Sequence, residues 1–276
     1  MKQRYKVLFS YDGTHYRGWQ IQPNGITIQQ TMQEIFSQLL QENIHLTASG
    51  RTDANAHALK QVAHFDAVSP LNLDKFLHSA NLVLPNDIKV LSIEPVSSNF
   101  HARYSTKDKI YHYYIYNDLI MPPFLRNYRL HFPQKLDIEL MKQAVKKFEG
   151  IHDFTSFSNR GSNDNERVKN ITSALVTQRN HEIIVHLRAN GFLYKMVRNI
   201  VGCLLQVATH KLPIQAIEDI FAAKDRRSAP STVPANGLFL MEVLYPSTSA
   251  LPSNTSKKEK LLKLLQEDKF PELLPI

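Results

Sequence analysis

Apolar and polar positions alternate along residues 4–11, where Tyr5, Val7 and Phe9 share one side and Asp12-Gly13 supplies a turn, so a strand is predicted. Around residues 28–40 the period changes. Ile28, Met32, Ile35, Phe36, Leu39 and Leu40 recur at spacings of three and four, and Thr27 with Gln30 forms a capping-box signature, which together predict a helix. Short strands are expected at 45–49 and 59–65, then a helix at 74–84 closed by Pro85 and a strand at 88–96. The order so far is βαββαβ.

A basic stretch, FHARYSTKDK from Phe100, separates this half from a second with the same order. It opens with a tyrosine-rich strand at 110–117, continues with an amphipathic helix at 137–149 and a hairpin of 168–176 with 182–187 turning at Arg179-Asn180, and follows with helices at 192–208 and 213–222. A strand at 238–245 closes it. The repeat is one of element order, without visible identity between the halves. The expected fold class is α+β: two βαββαβ domains, RRM-like or ferredoxin-like, whose antiparallel sheets join around a central cleft. The divisions fall at 1–106, 107–246 and an appendage, 247–276, where Ser, Thr and Pro give way to KKEKLLKLLQEDKF. Between the halves' elements, 158–165 reads as a polar loop.

Composition adds a partner class. The 276 residues carry a net charge of +8, which favours a polyanion, nucleic acid foremost, although a basic enzyme with a small substrate fits the charge equally well. The one cysteine, Cys203, excludes an intramolecular disulfide and a cysteine-based zinc cluster; its setting in NIVGCLLQV marks a core residue. No stretch reads as a signal peptide or a membrane span, so a cytoplasmic protein is expected.

Candidate chemistry centres on SGRTDANAHA, residues 49–58. Asp53 reads locally as a turn or N-cap residue, or as a carboxylate kept ionised beside Arg51 to act as base or nucleophile. Asn55 suits a position of positive φ. His57 and His64 lack a third metal partner in the sequence, which favours hydrogen-bonding or core roles. In GFLYKMVRNIVGCLLQVA, Lys195, Arg198, Asn199, Gly202 and Gln206 form a narrow polar stripe; Arg198 either snorkels to solvent or, if buried, needs an anion such as Asp53. Alternation puts Tyr111 and Tyr113 on one face of their strand and Tyr114 and Tyr116 on the other, for packing or for stacking on a base.

Taken in order, YDGTHYRGWQIQ, SGRTDANAHA, LPNDIKV, FHARYSTKDKIYHYYIYN, GIHDFTSF, GFLYKMVRNIVG and VPANGLFL resemble the successive motifs of TruA-type tRNA pseudouridine synthases, over residues 5–245. The resemblance implies the pseudouridine synthase fold and isomerisation of uridine to pseudouridine at positions 38 to 40 of the tRNA anticodon stem-loop. It further implies a homodimer that needs no cofactor or catalytic metal. By motif position Asp53 would be the catalytic aspartate, preceded by Arg51, with Tyr111 the active-site tyrosine and Arg198 the arginine paired with the aspartate. Substrate contacts would come from Tyr111, His57, Arg103, Lys109 and Leu238, and phosphate contacts from basic residues such as Arg17, Lys107 and Arg126. The chain departs from the family at Asn55-Ala56, where Gly-Val is usual, and at Lys169, where Arg is usual. The competing expectation is a non-catalytic tRNA-binding protein or RNA chaperone on the same fold, with Asp53 structural.

Overall fold

The strands form where β-branched and aromatic side chains alternate, and the helices where apolar residues return every three or four positions. The computed structural model describes residues 2–68, 70–159 and 166–246. The appendage expected at 247–276 and residues 160–165 of the polar loop lie outside the described residues.

Strand β1 (Lys2–Tyr11) leads through residues 12–27 to α1 (Ile28–Leu40), where Thr27 caps the helix by accepting from the Gln30 backbone. The capping box is half made, because the Gln30 side chain turns to Glu34 at 2.9 Å instead of reaching back. Next come β2 (Thr47–Ala48), β3 (His57–Val68), α2 (Leu73–Val83) and β4 (Ile88–Val96). The second half contains β5 (Asp108–Tyr116), β6 (Leu130–His131), α3 (Ile138–Lys146) and β7 (Gly150–Asp153). It continues with β8 (Val168–Arg179), β9 (Glu182–Ala189), α4 (Met196–Ala208), α5 (Ala216–Ala223) and β10 (Leu238–Leu244).

Two expectations shift for local reasons. The 192–208 helix starts only at Met196, because Lys195 takes the left-handed conformation, φ 61°. The 45–49 strand shrinks to two residues while its partner lengthens to twelve, since β3 pairs with β1 along most of its length. Strands β6 and β7 are too short for alternation to reveal them.

The ten strands described here form one mostly antiparallel sheet in the order β4-β1-β3-β10-β5-β9-β8-β7, with β2 on β3 and β6 on β5. Its two halves meet at a parallel pairing between β3 and β10, Phe239 opposite His57 and Leu240 opposite Ala58. Chain order explains the seam: β10 returns after the whole second half and enters beside the first. Phe36 of α1 packs on Phe65 of β3 and Phe76 of α2, while Phe148, Phe154 and Phe157 gather around Phe221 of α5. The seam lies between these two aromatic clusters, and the loop preceding β3 is the 49–56 segment.

Candidate active site

Asp53 stands at the mouth of β3, on a loop that three neighbours fix. Trp19 donates its backbone N–H to the Thr52 carbonyl at 3.2 Å, and Asn55 and Ala56 donate theirs to Tyr16 and Asp53. Thr52 is buried and shares a 2.7 Å hydrogen bond with Tyr11. Gly18 lies so close, at φ 85°, that a Cβ there would meet the Thr52 oxygen at 2.5 Å. Only glycine allows the 12–19 segment to press on this loop. Asn55 takes the positive φ expected of it, 65°.

Arg198 reaches the same point from α4. Its Nη1 donates to Asp53 Oδ2, and its Nε donates to the Val233 carbonyl at 2.7 Å. Both side chains are mostly buried, 13% and 15% exposed, so the snorkelling alternative for Arg198 does not hold. The carbonyl is available because the segment before β10 lies directly on α4. A Cβ on Gly202 would meet the Ser231 oxygen at 2.2 Å, which makes this glycine the condition for that close approach. Asn199 and Arg226 stitch the segment down: Asn199 Oδ1 accepts from Thr232 at 2.6 Å and from Arg226, whose guanidinium also donates to the Ala229 and Pro230 carbonyls. The polar stripe read on this helix thus has two functions, ion pair and strap.

Tyr111 sits on β5 between Leu240 and Leu187, with its ring edge-on to Phe192 at 5.0 Å. Burial pushes its hydroxyl well above the ordinary tyrosine value, and Tyr11 and Asp53 add to the shift by their charge, so the group stays protonated. Tyr11 is pushed up to about 12 by burial, partly offset by hydrogen bonds with Thr52 and Gln61.

A second carboxylate of the first half, Asp12, ties to the second half through Tyr128. Asp12 accepts from the Thr14 backbone and hydroxyl at 3.0 and 2.5 Å and from Tyr128 Oη at 2.6 Å. His57 Nδ1 lies 3.1 Å away. Burial alone would raise this carboxyl, but the contact with His57 and the hydrogen bonds donated by Thr14 and Tyr128 outweigh it and hold it well below the usual range.

The remaining expected site residues fall in three places. Arg51 is exposed and forms no ion pair with Asp53. This corrects the expectation of a local cation: the side chain leaves the loop for solvent, and the partner comes from α4 instead. His57, expected as a substrate contact, is 2% exposed and engaged on both nitrogens. Nε2 donates to the Asn127 carbonyl at 3.0 Å, Nδ1 accepts from the Gly13 N–H at 3.1 Å, and the ring stacks on Phe239. Lys109 braces the start of the loop by donating to the Ser49 carbonyl at 2.6 Å. Leu238 is buried opposite Tyr113 at the start of β10. Arg103 is exposed over the Tyr104 ring, and Arg17, Lys107 and Arg126 are exposed as a polyanion would require. Lys169 is buried near Glu166 at 3.7 Å.

Sequence reasoning missed Tyr11, Thr52, the Val233 carbonyl, Arg226 and the Asp12 cluster. The YDGT run carried the signal for Asp12, since a carboxylate two residues before a threonine forms an Asx turn. Cys203 is inert, its thiol pushed up to about 12 by burial. Among the described residues no group of three or more His, Cys, Asp or Glu is placed to hold a metal ion, and no helix is long and apolar enough to cross a membrane.

A mixed sheet of this kind, with a carboxylate and an arginine meeting at its seam, is consistent with the pseudouridine synthase class of fold. The chain belongs to the tRNA pseudouridine synthase family, whose profile matches residues 7–105 and 144–246. It is 46% identical over 245 residues to tRNA pseudouridine synthase A 1 of Protochlamydia amoebophila (strain UWE25), covering 87% of this chain and 96% of that one. It is also 38% identical over 255 residues to tRNA pseudouridine synthase A of Acinetobacter baylyi, covering 92% and 94%. With the enzyme of that name from Caldicellulosiruptor saccharolyticus it shares 42% over 239 residues, covering 87% and 98%.

Proposed function

We propose that this chain converts uridine to pseudouridine at positions 38 to 40 of the tRNA anticodon stem-loop, with Asp53 as the catalytic carboxylate. The observation that carries the reading is the Asp53–Arg198 pair: a carboxylate joined to one cation through Oδ2, with no hydrogen bond on Oδ1 among the described residues. The reaction breaks the bond from ribose C1′ to N1 of uracil, turns the base, forms a bond from C1′ to C5 and releases the C5 proton, while N1 gains a proton. Asp53 serves either as nucleophile on the ribose or as its base; both need an oxygen without a competing donor. Arg198, fixed by the Val233 carbonyl, orients the carboxylate. Tyr111 offers the ring against which a base taken out of the stack is held.

The halves 1–106 and 107–246 are then two arms that each bring one partner to the seam, the first Asp53 and the second Arg198 and Tyr111. The exposed cations Arg17, Arg103, Lys107 and Arg126 supply phosphate contacts. The protein acts in the cytoplasm as a homodimer, for which sedimentation at micromolar concentration should give twice the monomer mass. Incubation with unmodified tRNA, followed by mapping of pseudouridine, tests the function: new pseudouridine confined to positions 38 to 40 is expected. Tight tRNA binding without any new pseudouridine would favour the chaperone reading and overturn this one.

A further inference from the structure

Beside the ion pair lies a pocket of 390 Å³ that the proposed reaction does not use. Its walls are Thr14, Asn55, the turn at Arg126 and Asn127, and the 234–236 segment. Two of these walls continue directly from the ion pair. Asn55 follows Asp53 by two residues on the same loop, and Pro234 follows Val233, whose carbonyl holds Arg198. The third wall is tied to the other two. His57 donates to the Asn127 carbonyl, and Asn236 Nδ2 donates to the carbonyls of Arg126 and Arg129 at 2.9 and 2.6 Å.

The lining is polar and unevenly satisfied. Because both Asn236 amide protons go to carbonyls, its orientation is fixed, and its Oδ1 is shielded from solvent without a hydrogen-bond partner among the described residues. Leaving a buried acceptor unpaired is costly, which favours a small shift of the lining that brings this oxygen against an incoming O–H or N–H. Asn55 is exposed at φ 65°, and its side-chain amide makes no hydrogen bond among the described residues. Arg126, also exposed, brings a cation to the rim. Three asparagines and a guanidinium, without an aromatic ring among the lining residues, suit hydroxyls and a phosphate better than the face of a base.

We propose that this pocket holds the ribose-phosphate of a nucleotide next to the target uridine, and that it recognises RNA there through the 2′-hydroxyl. The inference rests on the proposed function, which places the target at Asp53. Asn55 and Asn236 take the hydroxyl, which both donates and accepts, and Arg126 takes the phosphate. Contact with sugar and phosphate fixes the register of the strand without demanding one neighbouring base.

The test is a thermodynamic cycle between protein and RNA. Anticodon stem-loops carrying a single 2′-deoxy substitution at the nucleotide 5′ or 3′ of the target are compared with the all-ribose stem-loop, for the wild type and for Asn55→Gly. Glycine accepts the positive φ, so this variant removes the amide without straining the loop. For the wild type, the deoxy substitution on one side should lower kcat/KM on the order of five- to tenfold, and for Asn55→Gly that penalty should shrink to about twofold or less. Arg126→Gln should weaken binding of the all-ribose and deoxy stem-loops alike and reduce the salt slope of log K by about one. Equal deoxy penalties in wild type and Asn55→Gly on both sides, or none in either, would overturn the inference. Affinities measured on the same stem-loops separate the two claims. If the wild type forms no pseudouridine but the deoxy penalty on binding still depends on Asn55, the proposed function fails and the subsite stands.

Discussion

Two carboxylates meet the seam from the first half of the chain, and their surroundings differ. Asp12 accepts three hydrogen bonds, from Thr14 twice and from Tyr128, with His57 Nδ1 also at 3.1 Å. Asp53 is held through one oxygen by Arg198. A carboxylate whose lone pairs are filled by fixed donors is a structural tie, because any reaction through it must first break that network. One with an oxygen to spare and a cation setting its direction is arranged for chemistry. Both occur in short turn-like runs, YDGT and GRTD, and the sequence around them does not separate the two cases. Partner count does.

The largest effect expected from breaking this contrast is on turnover at the sparse site. Arg198→Met should lower kcat on the order of 10²- to 10³-fold, because the carboxylate loses its fixed direction, and single-turnover assays would measure it. It should also destabilise by about 3 kcal/mol, since one partner of a mostly buried pair is left alone. Asp12→Asn should show the opposite balance: a loss of about 1–3 kcal/mol in urea unfolding with kcat changed by less than about tenfold. If Asp12→Asn instead abolishes turnover while leaving the unfolding midpoint in place, the division of labour drawn here is wrong.

Gly18→Ala comes next, because at that position the segment that begins with Asp12 presses on the loop that carries Asp53. A Cβ 2.5 Å from the Thr52 oxygen at φ 85° forces the loop to shift, at a cost of about 1–2 kcal/mol and a several-fold fall in kcat. Loss of stability with kcat intact would show that the loop's position tolerates more than the contact suggests.

The smallest effect is in pH. Burial lowers His64 to about 4, aided by the charges of Arg4 and His101, and its Nδ1 accepts from the Ala102 N–H at 3.1 Å, which needs a neutral ring. Burial likewise lowers His112, beside His186, to about 3. An unfolded histidine titrates near about 6.5, so between that value and the folded one the unfolded chain binds more protons. Stability from these groups is therefore complete above about pH 6.5 and is lost as pH falls, with the His64 share gone near about 4. Replacing His64 by Gln should flatten the midpoint-versus-pH curve in that window; an unchanged slope would show that the ring is already free to protonate in the fold.

The order of elements was legible because the long amphipathic stretches carry their own period, as in α1 and β4, whose bounds follow from Met32 and Phe36 and from Ile88 to Val96. The seam was less so. That β10 lies parallel to β3 depends on Phe239 meeting His57 across 182 positions of chain, and no local pattern encodes a pairing of that span. The same reason explains Arg51. Adjacency in sequence made it the natural cation for Asp53, whereas the fold brings Arg198 from 145 residues away and leaves Arg51 in solvent. The resemblance to known synthases named the long-range partner; the geometry of Gly202 and the Val233 carbonyl gives the physical reason that it arrives there.

The central claim, that the sparsely held carboxylate is the reacting one, is tested most directly by Asp53→Asn in single-turnover assays with unmodified tRNA, alongside tRNA affinity and melting temperature. The substitution keeps the side chain's shape and removes its charge. We predict a fall in pseudouridine formation on the order of 10³-fold or more, with affinity within a few-fold of wild type and the fold intact. Formation of pseudouridine at the wild-type rate by a folded Asp53→Asn protein would contradict the account.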